Sequence, residues 1–233
     1  MASFFTLNLD TIGPQDPSLL IAGSASGGFV AAQLANCTLS TSDASAAGYQ
    51  VKIWGDVDTT ENANIQDTEE NALWFTPTWD VNSATQQVKL STVDGLKTLS
   101  LKIKDTVDNA SSTATATITL DTVAPQAEVT SGPNATVISK QTGKRTATFS
   151  FQSGETFQAY KVMVVTNGTD AHTAGTLVPG TNGSTTSGSA GNYAANTPID
   201  VSIDAADLEL AGAEGANIVK VFVQDLAGTW SAA

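Results

Sequence analysis

Positive charge is scarce in this chain. Ten Lys and Arg residues, of which only Arg145 is arginine, stand against 23 Asp and Glu, for a formal net charge of −13 over 233 residues. Such a surface repels phosphate backbones and anionic lipid head groups, and bidentate phosphate recognition leans on arginine. Neither nucleic acid nor a membrane surface is expected as a partner. Cysteine is nearly absent too: Cys37 alone permits no intramolecular disulfide, so packing and backbone pairing must hold the fold. Its alternation with Leu39 makes it a small apolar core residue rather than a nucleophile. The one histidine, His172, is the residue that a catalytic triad or a histidine-based metal site would need. It lies in the polar, turn-forming stretch Asn167-Gly168-Thr169-Asp170-Ala171-His172-Thr173, where we expect an exposed loop residue. No run approaches the roughly 18 apolar residues of a membrane-spanning helix. The start, MASFFTLNLD, has no basic n-region and no apolar h-region before Asp10, so no signal peptide is expected. Gly143-Lys144 does not make a phosphate loop, because Arg145 replaces the required Ser or Thr and Ile138 the required glycine. General acid-base chemistry would fall to carboxylates alone, and no paired constellation stands out, so we expect neither an enzyme nor an organic cofactor.

What the chain does have is period-2 alternation, with almost no 3.6 spacing, and 41% hydrophobic residues, enough for packed cores. Lys97-Thr98-Leu99-Ser100-Leu101-Lys102-Ile103-Lys104 puts Leu99, Leu101 and Ile103 on one face and Ser100, Lys102 and Lys104 on the other, as in a half-buried antiparallel strand. Val219, Val221 and Val223 repeat the pattern. Tyr49, Val51 and Ile53 form another such face, and Tyr160, Val162 and Val164 its second version. Gly, Thr, Ser, Asn and Asp fill the connections, most densely from Gly180 to Gly191, which we expect to be a long flexible surface loop.

These matches belong to one internal repeat. A single offset carries Leu9-Asp10-Thr11 onto Leu120-Asp121-Thr122 and Tyr49 onto Tyr160. A slightly longer one carries Gly95, Asp105 and Ser111 onto Gly215, Asp225 and Ser231, with the glycine-rich loop as the natural place for the extra residues. A period of roughly 110 residues holding about seven short strands is the size of an immunoglobulin-like sandwich. The expected fold is therefore all-β, two tandem immunoglobulin-like β-sandwich domains, with no Cys…Trp…Cys framework of the antibody type. Residues 11–121 make the first domain and 122–233 the second.

The pattern Asp94-Gly95-Leu96-Lys97-Thr98-Leu99-Ser100-Leu101-Lys102-Ile103-Lys104-Asp105, then Asn109 and Ser111, then Ile118-Thr119-Leu120-Asp121-Thr122-Val123-Ala124-Pro125, resembles prokaryotic immunoglobulin-like repeats of the form DGxKTVxVKVRDxxGNxS…ITLDTTAP. The stretch from Gly215 to Ser231 resembles the same motif, with Thr229 where asparagine is usual. Such repeats occur in bacterial surface adhesins and in structural proteins of tailed bacteriophages, and the pairing of FTLNLDTIGP with GYQVKIWGDVD is closer to the phage examples. The resemblance implies a domain type more than a task.

One oxygen-rich constellation stands out: Asp56, Asp58, Glu61 and Asp67, with Asn62, Asn64, Glu69 and Glu70 around them. Gathered in a loop between strands, such groups are candidate ligands for Ca²⁺, which takes about six to eight oxygens. Their spacing is not that of an EF-hand, and the competing reading is a solvated acidic loop. Trp74, Phe75 and Trp79 follow. They either cover one end of the first sandwich or, as an exposed Trp74 and Trp79 pair, form a surface for stacking on carbohydrate or docking on protein. Several Asn-x-Ser/Thr triplets, among them Asn134-Ala135-Thr136, are what a chain so rich in Thr and Ser produces by chance.

In the first repeat the motif ending at Ser111 is followed by Ala114, Ala116, Ile118 and Leu120 alternating with threonines, a last strand. The second repeat reaches Ser231 with only Ala232 and Ala233 beyond, so domain two is expected to lack that strand. Residues 1–10 carry a spare copy: Phe5, Leu7 and Leu9 align with Ala116, Ile118 and Leu120. We expect Phe4 to Leu9 to complete a sandwich other than the one that follows them, most simply in a neighbouring subunit of a homo-oligomer. The alternatives are that they cap domain one or pair with an unrelated virion protein. Together these features give the expectation of a non-enzymatic structural or display protein of a tailed-phage particle, located in the virion. It would decorate head, tail or baseplate among other virion proteins, stabilising the assembly or adhering weakly to host-surface glycans. The second expectation is a bacterial surface or secreted immunoglobulin-like adhesion module.

Overall fold

The computed structural model describes residues 6–23, 28–189 and 191–232, and these fall into two compact units on either side of the Asp121–Thr122 bond. Both are built from strands, as the alternation requires.

The first unit pairs β1 (Ser18–Ile21), β3 (Leu34–Ser40), β6 (Ser83–Lys89) and β5 (Trp79–Asp80) in one sheet. The second sheet has the order β2 (Phe29–Val30), β8 (Ala114–Leu120), β7 (Gly95–Lys104) and β4 (Gln50–Gly55). All the pairings are antiparallel except β2 on β8. The core lies between the sheets. Cys37 and Leu39 come from one side and Val51, Ile53, Leu99, Leu101, Ile103, Ile118 and Leu120 from the other, all buried. Cys37 is thus a core residue, and burial pushes its thiol up to about 12. The strand β7 opens with Gly95 at φ +122°, a conformation in which a Cβ is strained. Its counterpart Gly215 has φ +112°.

The second unit has one sheet of β14 (Ile199–Asp204), β10 (Thr146–Ser153) and β9 (Ala127–Ser131). Facing it, β11 (Phe157–Val165) pairs with β15 (Ile218–Asp225) and with the short β12 (Thr176–Leu177) and β13 (Ser187–Gly188). Phe151, Phe157, Tyr160, Val162, Val201 and Val223 pack between them. Phe151 lies 5.1 Å from Tyr160 and Phe157 stacks on Tyr193 at 4.9 Å. In the first unit Val51 faces Ile103, yet the matching Val162 faces Val221, two residues along from Val223. An irregularity between Phe157 and Ala159 accompanies the offset.

A helix that the sequence did not reveal, α1 (Ala205–Ala211), joins β14 to β15. Asp204 caps it, its Oδ1 accepting from Ala206 N–H at 2.8 Å. The same carboxylate takes two hydrogen bonds from Arg145, at 2.9 and 3.0 Å. Arg145 first, and then the cap, hold Asp204 below the usual carboxylate range. The chain's one arginine is therefore a structural clamp between the start of β10 and the end of β14.

Candidate functional site

The motif shared by the two repeats turns out to be a staple at the end of a strand. Asp105 Oδ1 accepts from the N–H groups of Val107 and Asn109, both at 2.9 Å, and Oδ2 from Asn109 Nδ2 at 3.0 Å. Burial opposes ionisation of Asp105, but these bonds outweigh it and keep its carboxyl below the ordinary range. Two residues beyond, Ser111 Oγ accepts from Ile103 N–H at 3.0 Å and donates to Ser112 O. In the second unit Asp225 Oδ1 accepts from Thr229 N–H at 2.8 Å and Ser231 Oγ from Val223 N–H at 3.2 Å. These polar residues hold loops rather than ligands.

Of the four Ca²⁺ candidates only Asp58 and Glu61 are brought together, and by a lysine. Asp56 Oδ2 accepts from Thr98 N–H at 2.8 Å, across to β7. Asp58 accepts from Thr60 N–H and Oγ1 and lies 3.2 Å from Lys89 Nζ, which also meets Glu61 at 2.5 Å. Asp67 accepts from Asn71 Nδ2 at 3.2 Å. The bonds from Thr60 and then Lys89 lower the Asp58 pKa, while Glu61 and Asp58 raise that of Lys89. Among the described residues no three His, Cys, Asp or Glu gather in a way that could hold a metal ion. At Asp56, Asp58, Glu61 and Asp67, where a Ca²⁺ site is expected from sequence, backbone, hydroxyl, amide and ammonium donors meet the carboxylate oxygens.

Nor do Trp74 and Trp79 form a bare aromatic pair. Trp79 packs against the core and its Nε1 donates to Tyr49 O at 2.9 Å. Trp74 is half-buried, with the ammonium groups of Lys52 and Lys104 at 5.4 and 5.1 Å from its ring centre. Phe75 exchanges backbone hydrogen bonds with Val51 and packs on the core.

His172 is not an exposed loop residue. It is half-buried, stacked on Trp230 at 5.3 Å, with Lys161 Nζ 3.0 Å from its Nδ1 and 2.9 Å from its backbone oxygen. Lys161 also sits 4.4 Å over the Trp230 ring. Burial and then the Lys161 charge lower the His172 pKa. This layer covers Met163, Val165 and Phe222 on the outer face of β11 and β15.

The glycine-rich loop is also more ordered than its composition suggests. The buried Asp207 of α1 accepts from Thr181 Oγ1 at 2.7 Å, Asn182 N–H at 3.0 Å, Asn182 Nδ2 at 2.8 Å and Ser184 N–H at 3.3 Å. Burial works against the charge, yet the bonds from Asn182, Thr181 and Ser184 outweigh it and hold the carboxyl far below its ordinary range. Thr186 is buried as well, and donates to Val178 O.

The remaining feature is a groove of about 820 Å³ in the second unit, lined by Val129, Phe149, Ile203, Leu208, Val219 and Val221 among others. It runs along the side of β15 away from β11, where, among the described residues, no strand pairs with β15. In the first unit β8 occupies that position on β7, and Leu99 is fully buried. The matching Val219 is 37% exposed. Of the residues expected to supply a spare strand, Phe5 lies outside the described residues. Leu7 and Leu9 are outside any strand and 83% and 88% exposed.

No protein-family model matches the chain, and no curated protein sequence does. Among solved structures, the fibronectin(III)-like modules of Clostridium thermocellum CbhA align with it at 10% sequence identity and a TM-score of 0.44, over 91% of this chain and 88% of that chain. From its own sheets, the chain is an all-β protein with an immunoglobulin-like sandwich fold. No helix among the described residues is long and apolar enough to cross a membrane.

Proposed function

We propose that the chain is a non-enzymatic structural module that joins an assembly through a sheet edge, and more narrowly a virion protein of a tailed phage decorating the head, tail or baseplate. The observation that carries the assembly reading is the side of β15 that no strand pairs with among the described residues, above an apolar groove. An open edge of this kind is a liability unless something is built to cover it. The repeat pattern from Asp94 to Pro125, which resembles those of phage structural proteins, supports the particle setting. The acidic surface, with its net charge of −13, suits a module displayed in many copies without binding nucleic acid. Trp74 lies under two ammonium groups and Trp79 against the core, which favours assembly over glycan adhesion. Gold-labelled antibody against the chain, imaged on purified particles, tests the setting. Label at a fixed position on the particles is the expected result. Chain found in the host envelope fraction and absent from particles would overturn the phage setting in favour of a bacterial surface module.

A further inference from the structure

In the first unit β8 closes β7 with Leu120 opposite Gly95, Ile118 opposite Lys97, Ala116 opposite Leu99 and Ala114 opposite Leu101. Its Ile118 and Leu120 are buried in the core. By the repeat, Gly215, Asn217, Val219 and Val221 correspond to Gly95, Lys97, Leu99 and Leu101, and all four line the groove. The sequence Thr6-Leu7-Asn8-Leu9-Asp10 in turn repeats Thr117-Ile118-Thr119-Leu120-Asp121.

We propose that Phe5–Leu9 of a second copy adds as an antiparallel strand along Gly215–Val219, the stretch that leads into β15, with Leu9 opposite Gly215, Leu7 opposite Asn217 and Phe5 opposite Val219. Leu7 and Leu9 then enter the groove where Ile118 and Leu120 sit in the first unit. The side-chain volumes agree with this register. Where the first unit pairs Leu99 with Ala116, the second offers the smaller Val219 to the larger Phe5. The two leucines left in solvent at Leu7 and Leu9 gain a core, and the β15 edge gains a ladder.

A second copy supplies the donor: within one chain Leu7 and Leu9 lie outside any strand and stand exposed. Asp10 O accepts from Asn109 Nδ2, and Gly13 lies so close to Ala110 that a Cβ would stand 2.4 Å from its carbonyl oxygen. The segment thus leaves the first unit beside the turn that leads into β8. The link to the second unit leaves at the far end of β8, roughly 20 Å away at about 3.3 Å per residue. Residues 5–9 are all consumed by the strand itself. The inference rests on the assembly reading of the β15 edge and not on the phage setting. Particles without the chain would overturn the setting and leave the cross-link described next in place.

Two single variants, Phe5→Cys and Val219→Cys, are purified, mixed in equal amounts and oxidised with glutathione. Directly opposed residues in antiparallel strands fall within the roughly 4.4–6.8 Å Cα separation that a disulfide spans. Buried Cys37 stays out of the exchange. The expected result is a covalent mixed dimer at least tenfold more abundant than with Lys220→Cys in place of Val219→Cys, since Lys220 faces the other side of β15. A mixed dimer no more abundant than that control would overturn the proposal. So would an internal bridge as the sole product of the double variant Phe5→Cys/Val219→Cys. Leu7→Asp gives an independent reading at a residue whose exposure makes it harmless to folding. It should raise the dissociation constant for self-association at least tenfold in analytical ultracentrifugation. Self-association unchanged by Leu7→Asp, or a wild-type chain monomeric at every concentration, would overturn the strand exchange and leave the groove to a different occupant.

Discussion

Replacing Asp207 with Asn should release the first part of the glycine-rich loop and lower the stability of the second unit alone. The carboxylate is buried and takes four donors: Thr181 Oγ1, Asn182 N–H, Asn182 Nδ2 and Ser184 N–H. An Asn side chain keeps the shape but has one acceptor oxygen, and its amide turns two hydrogens toward donors. Even with the amide oxygen at Oδ1, where three of the bonds end, the bond from Ser184 N–H to Oδ2 is lost and the other three lose a charged acceptor. Each hydrogen bond to a charged group contributes about 1.5–3 kcal/mol, and relief of the buried charge returns part of that, leaving a net cost of about 2–4 kcal/mol. For a unit of this size each kcal/mol moves the midpoint by about 4 °C, so its unfolding transition should drop by roughly 10 °C in scanning calorimetry. Limited proteolysis should show new cleavage between Thr181 and Ser184. The pH dependence has a definite sign. Because the folded carboxyl titrates below its ordinary value, its stabilisation is fully present above the unfolded pKa of about 3.9 and is lost as pH falls through the folded value. The wild-type transition should therefore fall steeply in acid while that of Asp207→Asn changes less. A midpoint shift under about 2 °C, with the acid limbs of the two proteins parallel, would show that the bonds to Asp207 do not hold the loop.

Ser111→Ala should cost the first unit, and Ser231→Ala the second, about 1–3 kcal/mol each in urea unfolding, since each leaves a buried strand N–H, of Ile103 or Val223, without its acceptor. Equal effects of one substitution on both transitions would contradict the assignment. His172 has a lowered folded pKa, so the unfolded chain binds a proton first on acidification. Stability is complete above about pH 6.5 and declines below it, and His172→Gln should flatten that limb of a melting-temperature profile. Millimolar CaCl₂ should leave both transitions where they are, because Asp56 and Asp67 bond to Thr98 and Asn71 while Asp58 and Glu61 are already neutralised by Lys89; a rise in either would show that these oxygens converge on a cation.

The strands were legible because alternation of buried and exposed side chains is a local property, and β7 shows it in ten consecutive residues. Helix α1 was not, since seven residues are too few to establish a 3.6 period; the signal lay in Asp204 ahead of two alanines, a cap more than a pattern. The polar sequence neighbours of His172 imply exposure, whereas its partial burial comes from Trp230, Phe222 and Lys161, which chain folding brings to it. The glycine-rich loop misled for the same reason. Its composition predicts freedom, and the restraint comes from one carboxylate on α1. Acidic residues near one another in sequence suggested a cation site, but strand geometry sends Asp56 toward β7 and Asp58 toward Lys89 on β6.

The two-residue offset between the β4–β7 and β11–β15 ladders says how a duplicated domain can diverge without losing its interior. A slide of one residue would turn Val219, Val221 and Val223 outward and Lys220 inward. A slide of two leaves the inside and outside lists unchanged and only renames the partners, so Val162 exchanges Val223 for Val221 and remains buried. Loop length in such proteins is free to drift so long as the strands answer in even steps.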